Sequence, residues 1–286
     1  MPSSRKTAEL VGLFERVGVL YIGRMMGPTW DQTSPSGTPN ARQALALFVG
    51  SYAFEYQGAA PNFGPAAYRA IRSQKGSLDP ASVWREFCSR IDGGANPRHN
   101  VLYHQPRSCT CVLCSVCEDG RPRNLVTQTR DRLLTDEAAR CFKELTAIRG
   151  IGPKLASFFL RDVALRFDVM PTSDRDLLQP VDLWIRRFVR RLDSNGSLGD
   201  SSVARWIVDH ADRPERVNAG MWYFGAQIAP QRLIYDDAFA NPGYADELVE
   251  QHVARLAGAV AMWNKTPPAG TGGRRKPALA LDGGPR

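Results

Sequence analysis

The stretch Ala147-Ile148-Arg149-Gly150-Ile151-Gly152-Pro153-Lys154-Leu155-Ala156 decides how this chain is read. A helical spacing of apolar residues (Ala138, Phe142, Leu145, Ile148) runs into it, and a second one (Leu155, Phe158, Phe159, Val163) leaves it. Between them Gly150 and Gly152 permit a tight turn and the close approach of another backbone. Pro153 suits the first turn of the second helix, where its missing N–H removes no bond. The unpaired amides at that helix start point outward and, with the helix dipole, form a cradle for a phosphate. A glycine-bearing connection between two packed helices is the plainer alternative.

Working outward, helical spacing recurs over residues 7–19, 41–56, 65–73, 83–91, 131–148, 154–167, 182–192, 199–210, 215–228 and 244–263. No sustained period-two alternation is present, so the expected fold is all-α. Residues 26–40, rich in Pro, Ser, Thr and Gly, read as a loop. Residues 93–128 read as an irregular insert, and residues 265–286 as a disordered basic tail.

The 286 residues are enough to bury a core, and 43% of them are hydrophobic. No apolar run reaches the ~18 residues of a membrane span, and the N-terminal Met1-Pro2-Ser3-Ser4-Arg5-Lys6 opening is neither a secretory signal nor an anchor. A cytoplasmic, nucleoid-associated monomer is therefore expected. Lys and Arg number 37 against 29 acids, a net charge of +8, which favours a polyanion partner.

The hairpin resembles the helix-hairpin-helix motif of DNA-binding proteins. Two further stretches resemble the DNA glycosylases of that superfamily, which include endonuclease III and the oxoguanine glycosylases. Pro180-Val181-Asp182 follows the hairpin helix as the family's Val-Asp does at a helix start, and that aspartate is catalytic there. Lys154 stands four residues after Gly150, where bifunctional members carry their lysine. Upstream, residues 45–59 resemble the family helix that ends in a glutamine filling the gap left by a flipped base, and Gln57 takes that place.

The resemblance covers about residues 41–60 and 136–192 and implies two helical subdomains flanking a DNA-binding cleft. One is discontinuous, 1–40 with 168–264, and carries Asp182. The other, 41–167, is a helical barrel with the insert and the hairpin at 136–167. Two departures stand out. The Lys154-to-Asp182 interval is longer than in compact bacterial members, and Leu183-Trp184 follows the aspartate where many members have Thr-His. The C-terminal iron–sulfur cysteines of endonuclease III have no counterpart after Met221–Gln227.

The implied activity is excision of a damaged or modified base from double-stranded DNA by base flipping, with no cofactor required for the chemistry. Asp182 would stabilise positive charge on the sugar. Lys154 would attack the anomeric carbon as an amine and form a Schiff base, adding AP lyase activity. Arg149, Gly150, Gly152 and Gln57 would contact DNA, with Arg186 and Arg187 adding phosphate contacts from the polar face of the helix after Asp182. A non-catalytic DNA-binding protein remains the competing reading, in which Lys154 touches a phosphate and Asp182 is only a helix cap.

Of six cysteines, Cys109, Cys111, Cys114 and Cys117 crowd into one short segment. Without a secretion signal, such spacing points to structural zinc or an iron–sulfur cluster, or else to a reduced or redox-active thiol group.

Overall fold

A computed structural model describes residues 4–34, 37–54, 62–91, 101–103, 111–193 and 198–265. The chain is helical almost throughout. In order come α1 (Ser4–Tyr21), α2 (Gly27–Thr33), α3 (Ala41–Phe48), α4 (Phe63–Ser73), α5 (Pro80–Cys88), α6 (Val112–Val116), α7 (Leu125–Leu134), α8 (Ala138–Thr146) and α9 (Pro153–Phe167). They are followed by α10 (Leu183–Leu192), α11 (Asp200–His210), α12 (Pro214–Tyr223), α13 (Arg232–Ala240) and α14 (Pro242–Lys265). No described helix is long and apolar enough to cross a membrane.

Several boundaries differ from the sequence expectation. The helix expected at 131–148 is two helices, α7 and α8, because Asp136 turns left-handed at φ 60°. Its carboxylate instead accepts hydrogen bonds from the backbone and hydroxyl groups of Thr172 and Ser173, at 2.6–2.9 Å. Part of the expected 26–40 loop is α2, whose Trp30 is buried and donates to Tyr52 Oη at 3.2 Å. The expected helices at 41–56 and 215–228 each end in a π-helical turn, Val49–Ala53 and Phe224–Ile228. α13 was not anticipated, and the insert contains α6 and a two-stranded hairpin, β1 (Cys117–Glu118) with β2 (Arg121–Pro122), where no strand was expected.

Buried apolar side chains form one continuous cluster from Leu10 to Leu248. At its centre is α9, every residue of which from Phe159 to Ala164 is buried, so it has no solvent face over that stretch. It packs on α7 and α8 and on α12. The tightest crossing is α1 on α12. Phe14 meets Phe188 of α10 and Phe224 edge to face, at centroid distances of 4.3 and 5.8 Å. The backbones approach through Gly18 and Gly220: a Cβ at Gly220 would run into the carbonyl oxygen of Phe14, and one at Gly18 into that of Arg216.

This crossing predicts opposite outcomes for two Gly→Ala changes touching the same helix. Gly220→Ala should destabilise the protein by about 1–3 kcal/mol through overpacking. Gly12→Ala, in α1 with only the side-chain end of Arg16 within 4.0 Å of the new methyl, should stabilise it by roughly 0.5–1 kcal/mol by the helix preference for Ala. Denaturant midpoints of the two variants measure the difference, and equal midpoints would contradict the packing of α1 on α12.

Candidate active site

The hairpin is held by local bonds and two buried anchors. The amide of Ile148 donates to Leu145 O and that of Ile151 to Ile148 O, both at 3.0 Å, while the Ile148 and Ile151 side chains sink into the core. Gly150 adopts φ +82°, and a Cβ there would lie 2.6 Å from Val101 Cγ1. The turn thus needs glycine both for its left-handed backbone and for its seat on the insert, where Val101 O accepts the amide of Val112 at 2.8 Å.

Gly152 differs. It precedes α9 with an extended backbone (φ −85°, ψ 175°), offers no side-chain cap, and has open space where a Cβ would stand. The start of α9 therefore faces solvent with its first amides unsatisfied by any side chain, the condition in which a helix N-terminus attracts an anion. Lys154 is exposed on this first turn, its Nζ 5.7 Å from the centre of the Phe158 ring. Arg161 lies over the same ring at 4.7 Å.

Asp182 caps α10 as its sequence position suggests, accepting the Ile185 amide at 3.0 Å. It is half-buried. Burial raises its pKa above the ordinary carboxylate range; the Ile185 and Trp184 amides and the positive charges of Lys154 and Arg161 oppose that shift without cancelling it. The charge of Lys154 thus acts on Asp182, although most of α9 and a long loop separate the two in sequence.

That loop is packed rather than free. Asp136 clamps its near end through Thr172 and Ser173, and these bonds hold the Asp136 carboxyl well below the usual carboxylate range. Its middle forms a 3-10 turn, Arg175–Leu178, with Leu178 buried and Arg175 paired to buried Glu215 at 3.1 Å. Its far end is fixed where Asn218 Nδ2 donates to Pro180 O at 3.2 Å. Trp184, the departure from the family pattern beside Asp182, packs against Gly225, and its carbonyl accepts from Tyr235 Oη at 3.2 Å.

Behind the pair lies a buried polar network that the sequence reading missed. Arg161 and Asp162 pair at 2.8 Å. Arg161 also donates to Tyr21 Oη at 2.9 Å and Asn218 Oδ1 at 3.0 Å, while Tyr21 and Tyr52 donate to Asp162 Oδ2 at 2.7 and 3.0 Å. The signal was present: two adjacent opposite charges inside the apolar run Phe158-Phe159-Leu160-Arg161-Asp162-Val163-Ala164-Leu165 are unlikely tenants of a core unless paired.

The remaining expected residues separate. Arg186 pairs with Asp200 of α11 at 2.6 Å, a contact exposed to solvent. Arg187 lies over Trp184 at 5.2 Å and lines a groove with Arg190, Arg191, Arg232 and Asp236. Arg149 is exposed on the hairpin, close enough for its charge to act on the Cys111 thiol. Gln57 and Cys109 lie outside the described residues. Cys111 Sγ and Cys114 Sγ are 3.3 Å apart. Burial raises the Cys111 thiol and pushes Cys117 to about 11. Among the described residues no three His, Cys, Asp or Glu side chains converge on one metal position, so the zinc or iron–sulfur expectation gains no cage here.

Compared with known proteins, the chain matches no family model and no solved structure. It is 23% identical over 211 residues to an uncharacterized protein of Methanocaldococcus jannaschii, an alignment covering 63% of this chain and 48% of that protein. The chain thus spans about half the length of the curated relative it matches.

The strained carboxylate gives a stability test. Because the folded pKa of Asp182 is raised, the carboxyl's contribution is greatest when protonated and is lost as pH climbs through that raised pKa. Asparagine caps a helix as well as aspartate does and carries no charge to desolvate. Asp182→Asn should therefore match the parent's stability at pH 3 and exceed it at pH 7–8. Thermal melts at the two pH values decide it, and a variant less stable than the parent at pH 8 would refute the account of this side chain.

Proposed function

We propose that this chain is a DNA glycosylase of the helix-hairpin-helix type, which takes a damaged or modified base out of double-stranded DNA and cuts its glycosidic bond. The observation that carries this reading is the half-buried carboxyl of Asp182, whose ionised form burial disfavours while the charge of Lys154, exposed at the start of α9, favours it. Capping alone supplies no reason to hold a carboxylate where ionisation is costly, since Asn or Ser would cap equally well.

In this reading the open amides at the start of α9 and Arg149 hold a backbone phosphate of the duplex. The flipped nucleotide presents its sugar between Asp182 and Lys154. As the bond from C1′ to the base nitrogen breaks, its electron pair leaves with the base and positive charge spreads over the sugar. The Asp182 carboxylate, poorly screened in its half-buried position, stabilises that charge. A water, or the Lys154 amine, then bonds to C1′ and gives up a proton, which the Asp182 carboxylate accepts as general base. Attack by lysine followed by ring opening yields a Schiff base, and loss of a C2′ proton expels the 3′ phosphate and cuts the strand. The competing reading, a DNA binder without chemistry, draws support from the exposure of Lys154, which suits a plain phosphate contact.

Incubation with duplexes carrying a panel of oxidised, deaminated, alkylated and hypermodified bases, followed by alkaline cleavage, tests the reading. Asp182→Asn should keep duplex binding and lose ~10²–10³-fold in excision rate, typical for removal of one preorganised electrostatic group. Lys154→Gln should abolish borohydride trapping of the enzyme on its substrate. If the parent traps on no duplex and releases no base, the chain is a DNA binder without chemistry. The excision rate should also fall on the acid side of neutrality at a pH above the ordinary carboxylate range, since the active form is the ionised Asp182 and its pKa is raised. An acid limb at the normal carboxylate position would assign the catalytic group elsewhere.

Gly152→Glu separates the hairpin's DNA role from its fold. The new side chain enters open space, so the variant should fold as the parent does while placing a negative charge at the phosphate cradle. Fluorescence anisotropy should report at least tenfold weaker duplex binding, and unchanged affinity would remove the hairpin from the DNA interface.

A further inference from the structure

The four arginines of α10 do not act as one basic face. Arg186 is taken by Asp200. Arg187, Arg190 and Arg191 turn toward α13 and, with Arg232 of that helix, line an open groove of about 290 Å³. One carboxylate shares it: Asp236 pairs with Arg191 at 2.6 Å and stands 3.8 Å from Arg232. Neither Arg187 nor Arg190 has an ion-pair partner among the described residues.

The groove thus holds a formal excess of three positive charges, crowded by the fold. Like charges brought together repel, and one carboxylate neutralises only part of the set. Two of the arginines are also fixed over aromatic rings, Arg187 over Trp184 at 5.2 Å and Arg191 over Phe239 at 5.8 Å, which limits their freedom to splay apart. Planar guanidinium forks fixed in this way match phosphate oxygens, and a polyanion that brings several phosphates releases the counterions such a groove must otherwise hold.

We propose that the groove between α10 and α13 is a second phosphate-binding station for duplex DNA, with Asp236 as a built-in competitor that weakens it. The station lies on the helix that Asp182 begins. At 1.5 Å per residue, Arg187 and Arg191 stand about 8 and 14 Å along the axis from Asp182. A strand advances about 3.4 Å per nucleotide, so a strand following α10 from the site brings phosphates two to four nucleotides away into the groove. This proposal rests on the DNA reading given above and adds where the duplex continues once it leaves the hairpin.

Its test uses the full chain, a 24-base-pair duplex with a central tetrahydrofuran abasic analogue, and the same duplex undamaged. Affinity is measured by fluorescence anisotropy from 50 to 200 mM salt for the parent, for Arg190→Gln/Arg232→Gln, and for Asp236→Asn. Arg190 and Arg232 are exposed, so the double variant should melt with the parent. It should bind more weakly at 50 mM salt and lose less affinity as salt rises, the parent falling about tenfold further over this range if two phosphate contacts are removed. Asp236→Asn should bind both duplexes more tightly than the parent, with a steeper salt dependence; a merely structural set of ion pairs gives no such gain.

A double variant with the parent's affinity and salt slope, while the parent binds DNA, overturns the groove proposal and leaves the DNA reading standing. An Asp236→Asn variant that binds no tighter overturns the competitor role. A parent that binds neither duplex overturns the groove and the DNA reading together.

Discussion

Arg161 and Asp162 are neighbours on α9 with side chains 0% and 4% exposed, and the arrangement of the surrounding helices depends on how their charges are met. Removing two charges from water is costly unless partners satisfy them with good geometry. Here the partners come from far along the chain: Tyr21 from α1, Tyr52 from the turn after α3, and Asn218 from α12. An apolar face could be covered in several rotations of α9. A guanidinium and a carboxylate with directional partners accept far fewer, so the network fixes the rotation of the central helix. Through Asn218 it also holds the carbonyl of Pro180, two residues before Asp182.

The same helix therefore sets both ends of the candidate site. Lys154 stands on its first turn, and Arg161, two turns further, lends its positive charge to Asp182 from behind. Asp182 is consequently the product of two opposed pressures. Burial disfavours its ionised form, while two amides and two cations favour it. Its position is reinforced by contacts at each stage of the loop before it, from Asp136 through the Arg175–Glu215 pair to Asn218, so its extra length does not become extra freedom.

The insert has a place in this scheme that needs no metal. Val101 fills the space beside Gly150, where a side chain would otherwise stand, and Val112 ties Val101 down through its amide. Arg149, at the hairpin tip, is near enough to Cys111 to influence its thiol. The cysteine-bearing segment thus supports the back of the turn while the front, at Gly152, stays open. Supporting the hairpin from behind leaves the amides at the start of α9 available, which a capping side chain at Gly152 would not.

Local spacing made much of this legible. The apolar periods marked most of the helices, the two glycines and Pro153 marked the hairpin, and Asp182 before Leu183 marked a helix start; each depends on backbone rules acting over a few residues. Local spacing could not reveal that Asp136 would break 131–148, since a residue in mid-pattern leaves the helix only when a distant partner, here Thr172 and Ser173, claims its side chain. Nor could it divide the arginines of α10, which one helical wheel puts on a common polar face; Asp200 of α11 and Asp236 of α13 separate them. The sequence by itself determined which faces most of the helices would bury and where the hairpin before α9 would turn. Only the tertiary structure decided that Asp182 is half-buried, with the charges of Lys154 and Arg161 acting on it, because faces from distant segments are matched by packing and by the charges of a buried pair, and neither is a property of any one segment.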